Sequence, residues 1–252
     1  VSLPDTDRRA VGAAIDLLDR IGVRMLGLVA TNLDTSSRHA GDYGFGYAPS
    51  PTIHGDLVIV SSEFTAGGYL AAFRRSDGEE IWRTDRRIKT SYSSPIVAFV
   101  GGKHQLLLSG AELLSSYDPD TGELLWQVPG ATKATCGTMV WNEDTVFASG
   151  GFPGKETLAV RVTGEPEVLW RHADACYEQS LLYHDGHVYI YNDTGIMICR
   201  DAESGEERWK VRLGGPVSAS PILAGGRIHA MNERGITHVL APDPEKFTKL
   251  AE

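Results

Sequence analysis

Three sets of residues in this sequence are of types that could do chemistry. Cys136 and Cys176 each fall just before a strand opener, on successive copies of a repeat, where two thiols could face one another near one end of a channel. No spacing fixes a base beside either, and small buried residues account for both. With Cys199 they make three cysteines without a CxxC, which speaks against a zinc site and against a disulfide framework. The eight histidines show no HxH or HExxH spacing, so no metal centre is expected. Carboxylates form the second set and sit mostly at turns, at Asp56, Asp77, Asp118, Asp120, Asp185, Asp193, Asp201 and Asp243. Asn192-Asp193 and Asn232-Glu233 recur after a strand and before a Gly, where a cation could be held; an Asx turn explains the same spacing. The third set is basic: Arg86, Arg87, Lys89, Lys133, Arg171, His172 and Arg212, most of them a few residues after a Trp. Of these, Arg86, Arg87, Lys133, Arg171 and Arg212 are the candidate ligand-binding residues. They would form a basic rim able to hold an anion or an acidic peptide. Solvated loop charge is the plainer account.

Such residues need elements to hold them. A chain of 252 residues can form one large domain or two small ones, with a core that needs no disulfide or metal. A hydrophobic fraction of 42% and a charged fraction of 23% exclude disorder throughout. The 28 Gly and 12 Pro supply turns for many short strands. A net charge of −9 excludes a nucleic-acid surface as the main business. The longest apolar runs, such as residues 96–100, fall far short of the ~18 residues of a membrane span. No basic segment leads into an apolar one, as it does in a signal peptide. The chain opens at Val1, so a fragment or a processed form is expected.

From residue 49 onward the pattern is β, in short alternating runs bounded by Gly, Asp and Pro. The runs repeat. Ser76-Asp77-Gly78-Glu79-Glu80-Ile81-Trp82 matches Asp120-Thr121-Gly122-Glu123-Leu124-Leu125-Trp126 and Glu203-Ser204-Gly205-Glu206-Glu207-Arg208-Trp209. Val162-Thr163-Gly164-Glu165-Pro166-Glu167-Val168-Leu169-Trp170 is a looser copy with two more residues before its Trp. The four Trp recur at intervals of 44, 44 and 39 residues, the length of a four-stranded propeller blade. Gly78, Gly122, Gly164 and Gly205 fit the positive-φ corner of a tight turn. Trp82, Trp126, Trp170 and Trp209 lie on the outer strand, where each ring can dock on the neighbouring blade. All eight are assigned structural roles. Small polar residues open a strand in every unit, at Ser50, Ser94, Thr138, Ser180 and Ser220. Five units result, near residues 50–93, 94–137, 138–179, 180–219 and 220–252. The last carries Asp243-Pro244-Glu245-Lys246-Phe247 where the Gly-Glu-x-x-Trp motif belongs.

With Tyr69-Leu70-Ala71-Ala72-Phe73 and Ser116-Tyr117-Asp118-Pro119-Asp120 in the middle portion, the repeat resembles the pyrroloquinoline quinone (PQQ)-type β-propeller repeat over residues 49–252. The resemblance implies a mainly β fold, an incomplete propeller of about five four-stranded blades, against the seven or eight usual in relatives. An open arc with two exposed edges is expected. Relatives divide into quinone-dependent alcohol or sugar dehydrogenases and non-catalytic scaffolds similar to the propeller subunit of the outer-membrane protein assembly machine. The dehydrogenases use calcium, a catalytic Asp and often a vicinal Cys pair, and no residue here carries over to that site. The expectation is therefore a non-catalytic, extracytoplasmic scaffold with a protein or polysaccharide partner and no cofactor. PQQ and calcium belong to the alternative, a quinoprotein dehydrogenase.

Residues 1–48 read differently. Asp5, Thr6 and Asp7 offer N-caps ahead of a helical pattern at Val11, Ala14, Ile15, Leu18 and Ile21, with Gly22 as the stop and an apolar strand over 23–30. This helix–strand leader resembles the C-terminal end of a bacterial tyrosine autokinase of the P-loop ATPase type. Asn32 matches the adenine-contacting position and Tyr43-Gly44-Phe45-Gly46-Tyr47 the tyrosine-rich tail. It would suggest a cytoplasmic setting. No Gly-x-x-x-x-Gly-Lys-Ser/Thr is present, so no nucleotide site is expected to function. A fragment of a polysaccharide-export tyrosine kinase fusion is the third alternative.

Overall fold

Runs of five or six apolar and small residues, cut by Gly-containing turns, fold here as strands too short to make anything but small sheets. The structure, a computed structural model, describes residues 48–63, 68–86 and 91–252. The expected helix–strand leader, Asn32, Arg87 and Lys89 lie outside these. The described residues form five four-stranded antiparallel sheets, each in simple sequential order. The first holds β1 (Thr52–His54), β2 (Leu57–Ser62), β3 (Tyr69–Arg74) and β4 (Glu80–Asp85). The second holds β5 (Ile96–Val100), β6 (Lys103–Gly110), β7 (Leu113–Tyr117) and β8 (Leu124–Pro129). The third holds β9 (Val140–Trp141), β10 (Thr145–Gly150), β11 (Glu156–Arg161) and β12 (Glu167–His172). The fourth holds β13 (Leu182–His184), β14 (His187–Tyr191), β15 (Ile196–Asp201) and β16 (Glu207–Arg212). The fifth holds β17 (Ile222–Ala224), β18 (Arg227–Met231), β19 (Thr237–Leu240) and β20 (Lys249–Ala251), so this unit completes a blade without the Trp motif.

The second strands of blades 2, 3 and 4 are buried on both faces because blades stack on both sides of them. Ile59, Leu70 and Ala72 pack forward on Leu106 and Leu108 of the next blade. Leu107 and Leu114 do the same with Val146 and Ala148. Phe147 and Ala159 meet Val188 and Ile190, and Tyr189 and Tyr191 meet Ile228 and Ala230. Each Val, Leu, Ile or Phe among them contributes roughly 1.5–3 kcal/mol on burial, so these four seams are the core. The forward face of the fifth blade carries Ile222 at 58% and Met231 at 46% exposure. Among the described residues no core cluster joins the fifth blade to the first. The five described blades thus form an arc that does not close on itself.

Polar groups repeat the same neighbour-to-neighbour logic. The Ser50 amide donates to Ser94 Oγ at 2.8 Å, the Thr138 amide to Ser180 Oγ at 3.0 Å and the Ser180 amide to Ser220 Oγ at 2.9 Å. The strand openers thus latch blade 1 to 2, 3 to 4 and 4 to 5. At the outer edge, the indole N–H of Trp82 donates to Pro119 O at 3.1 Å, that of Trp170 to Ala202 O at 3.0 Å and that of Trp209 to Asp243 O at 2.9 Å. Gly122 and Gly205 lie under the first two rings; a Cβ on Gly122 would sit 2.4 Å from a Trp82 ring carbon, and one on Gly205 2.6 Å from Trp170. All four turn glycines have positive φ, between 73° and 79°. Trp126 departs from the pattern. Its N–H donates to Gln105 Oε1 at 2.7 Å within its own blade.

Candidate functional site

The first strands of successive blades lie side by side, β1 by β5 and β9 by β13, which puts the strand openers on the inner side of the arc. Two residues ahead of the openers Ser94, Thr138 and Ser180 stand Tyr92, Cys136 and Glu178. The repeat therefore delivers a phenol, a thiol and a carboxylate to equivalent places on adjacent blades. With Ala48, Ser94 and Tyr177 they line a cavity of about 410 Å³, within the range of small-ligand sites. Asp193 anchors one wall: its Oδ1 accepts the Tyr177 amide at 3.0 Å. Phe152 lies 6.1 Å from Tyr177, ring centre to ring centre. An aromatic wall with carboxylates beside it suits a neutral or cationic group.

Burial, and then the Glu178 and Asp193 carboxylates, push Cys136 up to about 11, so it stays protonated. Cys176 does not line this cavity. It is fully buried, its S–H lies 3.4 Å from Tyr191 O, and burial raises its pKa further still. Cys199 is likewise buried and free. The Asn-acid pairs are Asx turns. Asn192 Oδ1 accepts the amides of Thr194 and Ile196 at 3.1 and 3.0 Å, and Asn232 Oδ1 those of Arg234 and Ile236 at 3.0 and 3.2 Å.

The basic residues are spread along the blade seams. Arg86 is 3% exposed, and its guanidinium bonds the buried carboxylate of Glu63 and the hydroxyl of Tyr117. Its charge is spent inside the fold and not presented at a rim. Arg171 reaches across from blade 3 to Pro129 O in blade 2 and holds Glu156 at 2.7 Å. Arg212 is exposed and donates to Thr194 O at 3.3 Å. Lys133 is half-buried on the link between blades 2 and 3. His172 stacks near Trp170, and burial together with Arg200 lowers its pKa, so it is neutral at pH 7. The unpredicted cluster is Asp174, which takes Lys210 at 3.1 Å and the guanidinium of Arg200, tying the link before blade 4 to the blade's outer strands. The inner cavity was missed as well. Its signal was the residue two places before each opener, which varies while the opener stays Ser or Thr.

No three His, Cys, Asp or Glu side chains among the described residues come together as a cation site, and the three cysteines are not adjacent. Nor is any helix among them long and apolar enough to cross a membrane.

The sequence profile of the family described as outer membrane protein assembly factor BamB matches residues 28–179 and 159–246. The chain belongs to this family of PQQ-type propellers. BamB from Moraxella catarrhalis superposes with a TM-score of 0.57 at 16% identity, over 81% of this chain and 60% of that one. The quinohemoprotein alcohol dehydrogenase from Comamonas testosteroni superposes with a TM-score of 0.63 at 14% identity, over 82% of this chain and 42% of that one. At such identities these two likenesses speak for the fold alone. A curated relative, the serine/threonine-protein kinase AfsK of Streptomyces griseus, is 25% identical over 181 residues, 66% of this chain. The chain spans about a fifth of that kinase, 21% of its length. The family match begins at residue 28, inside the segment read from sequence as a leader.

Proposed function

We propose that this BamB-family propeller is a non-catalytic binding or assembly scaffold that works outside the cytoplasm on protein partners. The observation that carries the reading is where the charged groups go. Arg86, Arg171 and Arg200 are each spent on ion pairs within and between blades, and burial keeps the Cys136 thiol of the inner cavity protonated beside the Glu178 carboxylate. The family's own description as an assembly factor points the same way. The inner cavity is the place a partner would enter, offering Tyr92, Tyr177 and Glu178 to a cationic or neutral side chain.

The test is photo-crosslinking in cells from a reactive residue placed at Glu178, with one at exposed Lys155 as the control. Adducts with envelope proteins from position 178 alone are expected. Adducts with polysaccharide would change the partner class. Dye-linked oxidation of alcohols or sugars by the purified chain supplied with PQQ and calcium would refute the non-catalytic role. A second reading rests on the AfsK match: a propeller carried as the sensing part of a longer kinase. Kinase activity in the full gene product that responds to ligands of the inner cavity would favour it.

A further inference from the structure

The seam between blades 2 and 3 is built differently at both of its ends. At the inner end, no opener-to-opener latch joins Ser94 to Thr138 among the described residues, although the other three seams have one. At the outer end, Gly164 is exposed with nothing within 4 Å of its Cβ position, whereas Gly122 and Gly205 are buried under indoles. Two local causes are visible. The Val162–Pro166 turn lacks the Asp that caps its counterparts: Asp118 and Asp201 each accept two turn amides, and Arg161 stands at their place. The β5–β6 hairpin pairs over five positions against three for β1–β2, so its tip reaches further over blade 3. There a Cβ on Gly101 would come within 3.0 Å of Val162 O.

The result is a cleft of about 580 Å³ over Trp126, with Lys103, Gln127, Glu165 and Pro166 around it. Trp126 is held in place from behind. Buried Gln105 accepts its N–H and the Ser116 hydroxyl at 2.7 Å each and donates to Val100 O at 2.9 Å. The indole is fixed but has no turn packed on it.

We propose that this cleft is a docking site for a glycine-bearing acidic β-turn of a partner protein, a reading that rests on the scaffold function. The molecule shows the chemistry of such a ligand at its other seams. A Gly with positive φ lies on the indole because any side chain there would collide with it. At the seam between blades 1 and 2 the acidic corner of the turn also meets a basic group on the preceding hairpin, Asp120 lying 3.5 Å from His54. At the open seam Lys103 stands on that hairpin and supplies the matching charge.

The probe is a head-to-tail cyclic peptide carrying residues 117–124 of this chain, titrated into the full ¹⁵N-labelled protein. The readout is the indole N–H resonances of the five Trp. Saturable shift of the Trp126 signal alone is expected, with at least tenfold weaker binding when the peptide's Gly is replaced by Ala. Grafting residues 117–125 in place of 160–169 should fill the cleft from within and abolish the shift while the protein stays folded by its far-UV circular dichroism. An unmoved Trp126 signal at millimolar peptide overturns the proposal. So does a Trp126 signal moved by methyl glucoside and not by the peptide, which would make the cleft a sugar site. Quinone turnover would overturn the scaffold reading without moving this signal, so the two failures are distinguishable.

Discussion

Compare the seam between blades 1 and 2 with the seam between blades 2 and 3. The first is closed at both ends: Ser50 latches on Ser94, and Trp82 covers Gly122 and bonds Pro119 O. The second shares the apolar middle, Leu107 and Leu114 against Val146 and Ala148, but has neither the latch nor the docked indole. The lesson is that a propeller seam has three separable parts. The apolar middle supplies stacking energy, while the latch and the indole fix how the blades sit. A seam can give up the last two and remain a seam.

The largest test of that comparison is truncation of the indoles. Trp82→Ala should cost about 3–5 kcal/mol, the range for a large aromatic removed from a packed site. Trp126→Ala, half-buried and bonded only within its blade, should cost less than half as much by calorimetric Tm. A smaller contrast comes from the glycines. Gly122→Ala meets the Trp82 ring, so overpacking of about 1–3 kcal/mol adds to about 1–2 kcal/mol of left-handed backbone strain. Gly164→Ala should show the backbone strain alone, and equal losses in urea titration would contradict the open cleft. Ser180→Ala removes the latch acceptor between blades 3 and 4 and should cost about 1 kcal/mol. Replacing Thr163, exposed and away from any latch, is the reference for that measurement.

The smallest effect is a pH dependence at a capped turn. Burial pushes the Asp201 carboxyl up, but the Ser204 amide and Arg208 pull harder and leave it at about 2, against an ordinary Asp near 3.9. A depressed carboxyl stabilises the fold fully above the ordinary value and loses that contribution as pH falls towards the folded one. Wild type should therefore shed stability faster than Asp201→Asn between about pH 4 and pH 2. Below that window the difference between them should stay constant. The uncapped turn of blade 3 has Arg161 at this place and no such dependence to lose.

The blades were legible because the turn and its Trp recur, and recurrence turns a local pattern into an architecture. The open seam leaves a mark in the sequence too, in Arg161 where other turns carry a capping Asp, although its consequence for Trp126, in the previous blade, is not legible there. The basic rim shows what spacing cannot say. Arg86 reads as a loop cation until Glu63, 23 residues earlier, is seen to hold it in the interior. The inner cavity draws on three links, and no single stretch of chain describes it. The leader's expected helix and strand, over residues 5–30, lie outside the residues the structure describes.

The latches have a mechanical consequence. Among the described residues each joins only adjacent blades, and the forward face of the fifth blade leaves Ile222 and Met231 exposed. A pulling force on the C-terminus therefore loads one seam at a time and does not share its load around a closed ring. In a force spectrometer the arc should unravel from blade 5 in successive steps, each extending the chain by about one repeat, ~40 residues. The step that breaks the seam between blades 2 and 3 should come at the lowest force.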